Sequence, residues 1–316
     1  MSTITKVLVT GVNGFIGTQY ARMLRKQERY IIGIDVQAVD LFNGCDEYYD
    51  IDLGSQQARD AVRGVPAPDL ILHAGGISGF MVETENPPRI ADVNIFGTVQ
   101  ILELARRTKC RRTVLCSSTM VYGPNSAATC EHDEAEYPEP ISVYGASKVA
   151  LEALMHGYRG QYGVDAIALR FGHVYGPGRT TECFIRAMLQ AAAEKSPCHI
   201  PQASASLRQY VHIDDVCSAI ALAMDVKAPR SRVFNISADE IYTLGEVADV
   251  VRRVVGPLQI HFDAACDLLN YRIEKMSIRR AQEELSYAPR LTLAEGVASY
   301  WMSNFAAREH HAPSAS

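Results

Sequence analysis

None of the cysteines in this chain stands in a C-x-x-C pair. No apolar run reaches the length of a bilayer span, and basic residues are not in excess. Each absence removes a class. Eight cysteines (Cys45, Cys110, Cys116, Cys130, Cys183, Cys198, Cys217 and Cys266) are spread over 316 residues. That suits reduced thiols in a cytoplasmic protein rather than a disulfide-stapled module. No transmembrane helix is expected. A net charge of −5 and a pI near 6.0 speak against nucleic acid as the main partner. No internal repeat, low-complexity tract or Pro/Gly-rich linker is present, so any lobes are expected to share an interface. The N-terminal MSTITKVLVTG enters a strand pattern directly, without a secretory signal. The polar tail from Arg308 is expected to fray, and its His310–His311 pair reads as tail composition, not a metal site.

What is present is an alternation. Short apolar runs at Lys6–Thr10, Tyr30–Asp35, Glu47–Leu53, Leu70–His73, Thr113–Ser117 and Asp165–Arg170 read as strands. Helical patterns at Phe15–Lys26, Pro88–Thr108 and Gly145–Tyr162 fall between them. Strands alternating with helices predict a parallel sheet covered on both faces. After Phe171 helical pieces (182–194, 215–225, 244–255, 278–285, 293–305) mix with short strands at 198–201, 209–213 and 233–236.

The first strand runs into Gly11-Val12-Asn13-Gly14-Phe15-Ile16-Gly17, a G-x-x-G-x-x-G turn that opens a helix. Glycines there permit a tight turn and close approach of backbone to a pyrophosphate, which the helix N-terminus attracts. Asp35 closes the second strand, 18 residues past Gly17. Its carboxylate suits ribose hydroxyls and repels a 2′-phosphate, so NAD is expected rather than NADP. Asp52-Leu53 either takes the adenine amino group and ring or is an incidental pair. In His73-Ala74-Gly75-Gly76 the small residues let the backbone pass close to the cofactor, and His73 reads as structural.

Tyr144 and Lys148 stand four apart in a helical pattern, hence on one face one turn apart. Free tyrosine ionises near pH 10, and an adjacent cation favours the phenolate. Such a phenol serves as base in one direction and acid in the other. Ser118, at the end of the fifth strand, reaches the same sheet edge. His212-Ile213-Asp214-Asp215 reads as a helix cap formed by the acidic pair, not a metal site. Cys116 reads as a buried small apolar group.

GVNGFIG, the acid after the second strand, SSTMVYG, YGASK, LRFGHVYGPG and RQYVHIDDV occur in that order. Together they resemble the extended short-chain dehydrogenase/reductases of the NAD-dependent epimerase/dehydratase type, over roughly residues 4–305. The resemblance implies an α/β fold. Residues 1–170 would form a Rossmann-type doubly wound parallel sheet, with segments near 208–240 returning to it. Residues 171–307 would form a smaller mixed α/β substrate lobe, and 308–316 a flexible tail. It implies Tyr144 as acid/base, Lys148 as its cation and ribose ligand, and Ser118 as the substrate-orienting hydroxyl. The implied cofactor contacts are Gly11, Asn13, Gly14, Phe15, Ile16, Gly17, Asp35, Asp52, Leu53, Ala74, Gly75, Asn94, Ser117, Tyr144, Lys148, Phe171 and His173. Asn94 is equally open to a supporting role. The implied substrate contacts are Gly76, Ser78, Ser118, Thr119, Tyr144, His173 and Arg208, with no metal. For Arg208 an ion pair at the surface or between lobes stays open beside an anion site.

Four departures bear on the substrate. His173 replaces the usual Asn before Val-Tyr-Gly-Pro, the Gly-Asp-Gly turn before Arg208 is missing, and no R-x-G-D segment follows. These speak against a standard UDP-sugar site. Thr119-Met120 replaces an Asp-Glu pair, which speaks against dehydration. The expected activity is hydride transfer at a secondary alcohol of a sugar or sugar-nucleotide-like substrate, by an epimerase/oxidoreductase. Alternatives are net dehydrogenation of a non-nucleotide sugar, sugar acid or other hydroxy compound, and a non-catalytic NAD sensor. The resemblance also implies a homodimer through a four-helix bundle, built from the helices near 88–108 and 145–162. The loop 77–88 is expected to cover substrate.

Overall fold

The computed structural model describes residues 5–78, 86–123, 131–264 and 274–306. Cys130, Cys266, most of the loop 77–88 and the tail from Arg308 lie outside the described residues.

In chain order the first elements are β1 (Lys6–Thr10), α1 (Phe15–Lys26), β2 (Tyr30–Asp35), β3 (Glu47–Asp50), α2 (Ala58–Arg63) and β4 (Leu70–His73). Next come α3 (Pro87–Ile90), a π-helical segment (Ala91–Phe96), α4 (Gly97–Thr108), β5 (Arg112–Ser118), a 3₁₀ turn (Thr119–Val121) and β6 (Glu131–His132). They are followed by α5 (Val143–Tyr162), β7 (Ala166–Phe171), β8 (His173–Tyr175), α6 (Phe184–Ala193) and β9 (Cys198–Ile200). The rest are β10 (Leu207–Arg208), β11 (Tyr210–His212), α7 (Ile213–Asp225), β12 (Val233–Ile236), β13 (Tyr242–Thr243), α8 (Leu244–Val255), β14 (Ile260–Phe262), β15 (Lys275–Met276), α9 (Arg279–Leu285) and α10 (Leu293–Asn304).

Seven strands form one sheet in the order β12-β7-β5-β4-β1-β2-β3, and every neighbouring pair is parallel. β4, β5 and β7 are buried along their whole length, as expected of strands covered on both faces. Period-two alternation sorts their side chains. Val7, Val9, Val114 and Leu169 join Tyr20, Leu24, Ile220 and Leu285 under α1, α7 and α9. Leu8, Ile71, Leu115 and Ala168 join Ile101, Leu102, Leu151 and Met155 under α4 and α5. A further core (Met188, Leu189, Val247, Val251, Val297, Tyr300) fills the space between α6, α8 and α10. Each such apolar side chain taken fully out of water contributes roughly 1.5–3 kcal/mol.

Chain direction reverses between β1 and β4, so their carboxyl ends open a crevice at the switch point of the sheet. Three of the differences from the sequence reading bear on the site and its supports. The single helix expected over 88–108 is interrupted by the wide turn Ala91–Phe96. Catalytic-helix candidate α5 begins at Val143, because Ser142 Oγ accepts from Gly145 N at 3.0 Å and caps it there. The cap of α7 is His212, whose Nδ1 accepts from Asp214 N at 3.2 Å, not the acidic pair. Asp215 instead accepts from Arg290 N and Leu291 N, tying α7 to the approach of α10.

Candidate active site

The glycine turn sits where β1 leaves the sheet. Gly11 has φ +64°, and a β-carbon there would come within 2.8 Å of Gly75 Cα. Only glycine fills that position without strain. Gly11 N donates to Ile34 O, and Gly14 N to Gly11 O. α1 then starts with no side-chain cap and no acidic residue in its first turn. Phe15, Ile16 and Gly17 form that first turn. Uncapped amides at a helix N-terminus, over a loop pressed against Gly75, fit a pyrophosphate. Asp35 Oδ2 accepts from Asn13 N at 3.0 Å and Oδ1 from Val36 N at 2.8 Å, which aims the carboxylate across the turn. Asn13 in turn holds Val39 O and Tyr48 Oη. Asp52 is engaged by Arg89, which grips both carboxylate oxygens at 2.7 and 2.8 Å. Leu53 packs into the core against Gly97.

His73 is a beam in the scaffold. Its ring bridges Thr10 Oγ1 (2.7 Å) and Thr98 Oγ1 (3.2 Å), and burial together with the Lys148 charge pushes it down to about 3. Thr10 Oγ1 also accepts from Gly75 N, so β1, β4 and α4 are pinned around the Ala74-Gly75-Gly76 turn.

α5 delivers Tyr144 and Lys148 to this edge. Lys148 is buried, with Nζ donating to Cys116 O at 2.8 Å and lying 5.6 Å from the centre of the Tyr144 ring. Burial pushes its ammonium down from the ordinary lysine value, while the Glu152 carboxylate pulls it the other way. The Cys116 thiol, wholly buried, is pushed up to about 12 and stays neutral. Helix and strand fit closely because residue 145 is glycine: a β-carbon there would collide with the Met120 carbonyl. That contact sets the start of α5 against the turn Thr119–Val121. Ser118 caps this turn, its Oγ accepting from Met120 N at 3.2 Å, which fixes the oxygen without consuming the hydroxyl's proton.

Asn94, in the π-helical segment, is fully engaged. Its Oδ1 accepts from Ile77 N, and its Nδ2 donates to Ile77 O and Ser147 Oγ. Ser147 Oγ passes the contact to Tyr144 O. Asn94 therefore ties the Gly76-Ile77 backbone to α5 and supports the centre. A β-carbon on Gly76 would lie 3.0 Å from Asn94 Oδ1 and 3.7 Å from Lys148 Nζ, so the β4 loop passes beside the lysine. Ser78 is exposed on the same loop.

A narrow cleft, open to solvent, lies between Thr119, Met120, Tyr122, His132, His173 and Glu274. His173 packs edge-on to Tyr210, and burial, with Arg208 and Arg179 nearby, pushes its imidazole down to about 3. Phe171 is buried at the end of β7, in register with Ser118. Arg208 is buried over the Phe184 ring and donates to Leu207 O and Gln202 Oε1, which places it inside the C-terminal lobe rather than at the surface. Ser117, expected among the cofactor contacts, donates its Oγ proton to Glu152 Oε1 at 2.6 Å.

The sequence reading missed Arg89, Glu152, Arg170 and Gln209. Gln209 clamps Ala238 O, Met276 O and Met276 N. Arg89 leaves no local pattern. Glu152 was legible as the next i+4 position after Tyr144 and Lys148.

Residues 7–237 match the NAD dependent epimerase/dehydratase family. The chain belongs to this family. Relatives of the NAD dependent epimerase/dehydratase family span it almost end to end. A UDP-glucuronate 4-epimerase of Thermodesulfobacterium geofontis is 24% identical, covering 92% of this chain and 93% of its own. A UDP-glucose 4-epimerase of Mycolicibacterium smegmatis is 29% identical, covering 93% and 96%. Among solved structures, MoeE5 in complex with UDP-glucuronic acid and NAD superposes with a TM-score of 0.84 at 27% identity, covering 94% of this chain and 98% of its own. No helix among the described residues is long and apolar enough to cross a membrane.

Proposed function

We propose that the protein is an NAD-dependent 4-epimerase of a UDP-linked sugar. The observation that carries this reading is the placement of Tyr144 and buried Lys148 on α5 against the Ser118 turn, beside the Gly76 loop that follows β4. Full-length similarity to proteins named UDP-sugar 4-epimerases supports the nucleotide-linked substrate. The departures at His173, before Arg208 and at the missing R-x-G-D segment then mark where its contacts differ. Gly11, Gly14 and the first turn of α1 would hold the pyrophosphate of NAD, Asp35 the adenine ribose, and Lys148 the nicotinamide ribose. NAD, when bound, accepts a hydride from the sugar carbon and returns it. Tyr144, as phenolate beside Lys148, removes the proton from the sugar hydroxyl, and Ser118 donates to the same oxygen. After the sugar presents its other face, Tyr144 returns the proton.

A homodimer is part of the reading. The outer side of α5 carries exposed Ala146, Ala153, Gly157 and Gly160, and among the described residues nothing beyond the helix's own neighbouring backbone lies within 4 Å of a β-carbon at either glycine. Small residues in that arrangement admit a second helix at close range. The test is incubation with NAD and a panel of UDP-glucose, UDP-galactose, UDP-glucuronate and free sugars, following product stereochemistry and absorbance of NADH together. Inversion at C4 without net NADH supports the reading. Stoichiometric NADH would replace it with a dehydrogenase, and silence across the panel with a sensor.

A further inference from the structure

Tyr144 and Lys148 are followed, one further turn along the same face of α5, by Glu152, a carboxylate 5% exposed. Its Oε1 accepts from Ser117 Oγ at 2.6 Å and from Arg170 Nε at 2.9 Å, and its Oε2 accepts from Arg170 Nη2 at 2.7 Å. Arg170, equally buried on β7, gives Nη1 to Tyr122 Oη at 2.7 Å, and Tyr122 Oη donates to Asn235 Oδ1 on β12. Every polar atom of the Glu152–Arg170 pair is thus engaged, and the chain of bonds joins α5 to β5, β7, β12 and the segment after β5.

Stability alone does not account for such a pair. The desolvation of two buried ions offsets most of their attraction, and apolar replacements of equal volume are often neutral or better. What the pair does supply is register. Three consecutive residues of β5 are assigned in turn: Cys116 O holds Lys148, Ser117 Oγ holds Glu152, and Ser118 caps the turn against Gly145. It also supplies charge. The groups acting on Lys148 are the Cys116 thiol from β5, His73 from β4, and the Tyr144 ring and Glu152 on its own helix. Cys116 and His73 are neutral at pH 7. Glu152, its charge shared with the Arg170 guanidinium from β7, is the carboxylate of that set.

We infer that Glu152, held by Arg170 and Ser117, is a positioning residue of the reaction centre that fixes Lys148 against β5. The inference rests on the reading of Tyr144 as acid/base. Three variants test it, with UDP-glucose and UDP-glucuronate as substrates and NAD binding and thermal melting measured alongside. Glu152→Gln keeps the shape and removes the charge. It should lower kcat at least about tenfold, move the alkaline limb of the kcat–pH profile down by about one unit, and leave KM and NAD affinity within about twofold. Glu152→Asp keeps the charge and should keep the alkaline limb in place. Ser117→Ala removes one strand contact and should lower kcat severalfold without moving the limb. A folded Glu152→Gln with a wild-type profile overturns the inference. If that variant does not fold, Ser117→Ala decides, and unchanged kcat there overturns it. Tyr144→Phe separates the two levels. An inactive Tyr144→Phe beside a wild-type Glu152→Gln sinks this inference alone, whereas an active Tyr144→Phe sinks the acid/base reading beneath it.

Discussion

Replacing Lys148 by methionine would remove one charge from the centre while keeping most of the buried volume. The ammonium lies 5.6 Å from the centre of the Tyr144 ring. At that separation and an effective dielectric constant of about 20, a unit charge favours a phenolate by about 3 kcal/mol. That energy is about a hundredfold in the phenolate population at a fixed pH below its titration. Lys148→Met should therefore lower kcat about a hundredfold at neutral pH. The loss should shrink as pH rises, because hydroxide restores the phenolate that the ammonium no longer favours. The Cys116 carbonyl loses its donor, which costs about 1–3 kcal/mol of stability and should appear in a urea melt. The assay is kcat against pH at saturating NAD, so that weaker ribose binding is not mistaken for weaker chemistry. A uniform loss at every pH would show that Lys148 acts only on binding. A loss under fivefold would refute the electrostatic argument outright.

Gly11→Ala forces φ +64° on a β-carbon that meets Gly75, so it should weaken NAD binding at least about tenfold and destabilise the fold by about 1–3 kcal/mol, as read by calorimetric titration and melting. Asp35→Asn should narrow the preference for NAD over NADP about tenfold, because the charge opposing a 2′-phosphate is gone, and an unchanged ratio of the two dissociation constants would contradict that role. Asn94→Ala frees Ile77 N and O and Ser147 Oγ, which should cost about 2–4 kcal/mol and lower kcat more than it raises KM. His73 and His173, both pushed down to about 3 by burial, are neutral in the fold but protonate in the unfolded chain below about 6.5. Stability should therefore fall as pH drops from about 6.5 toward 3, by up to about 1.4 kcal/mol per unit for each, and equal urea midpoints at about pH 7 and about pH 5 would rule this out.

The sheet was legible because a strand buried on both faces must be mostly apolar. Tyr30–Asp35, Leu70–His73 and Val233–Ile236 stand out for that reason. The glycine turn and the Tyr144–Lys148 spacing were legible because backbone approach and helix geometry fix both locally. What escaped depends on contacts between distant segments. Nothing near Asp52 announces that Arg89, 37 residues on, closes over its carboxylate. Nothing near Ser117 announces that its hydroxyl, on a strand buried along its whole length, turns toward Glu152 on α5. The acidic pair after His212 looked like a cap, since carboxylates suit a helix start. A histidine nitrogen won because Asp215 is needed by the backbone at 290–291.

The wide turn at Ala91–Phe96 has a consequence for how this chain can change length. A π-helical turn holds one residue more than α geometry requires. That extra residue lets α4 present Ile101, Leu102 and Ala105 to the sheet while Asn94 still faces Ile77 and Ser147. Deleting one residue there would rotate either the core stripe or the asparagine by about 100°, since each helical residue turns through that angle. The stretch behaves as a phase adjuster between two faces with different tasks. Insertions and deletions should thus be tolerated in the loops around the sheet and rejected within these six residues.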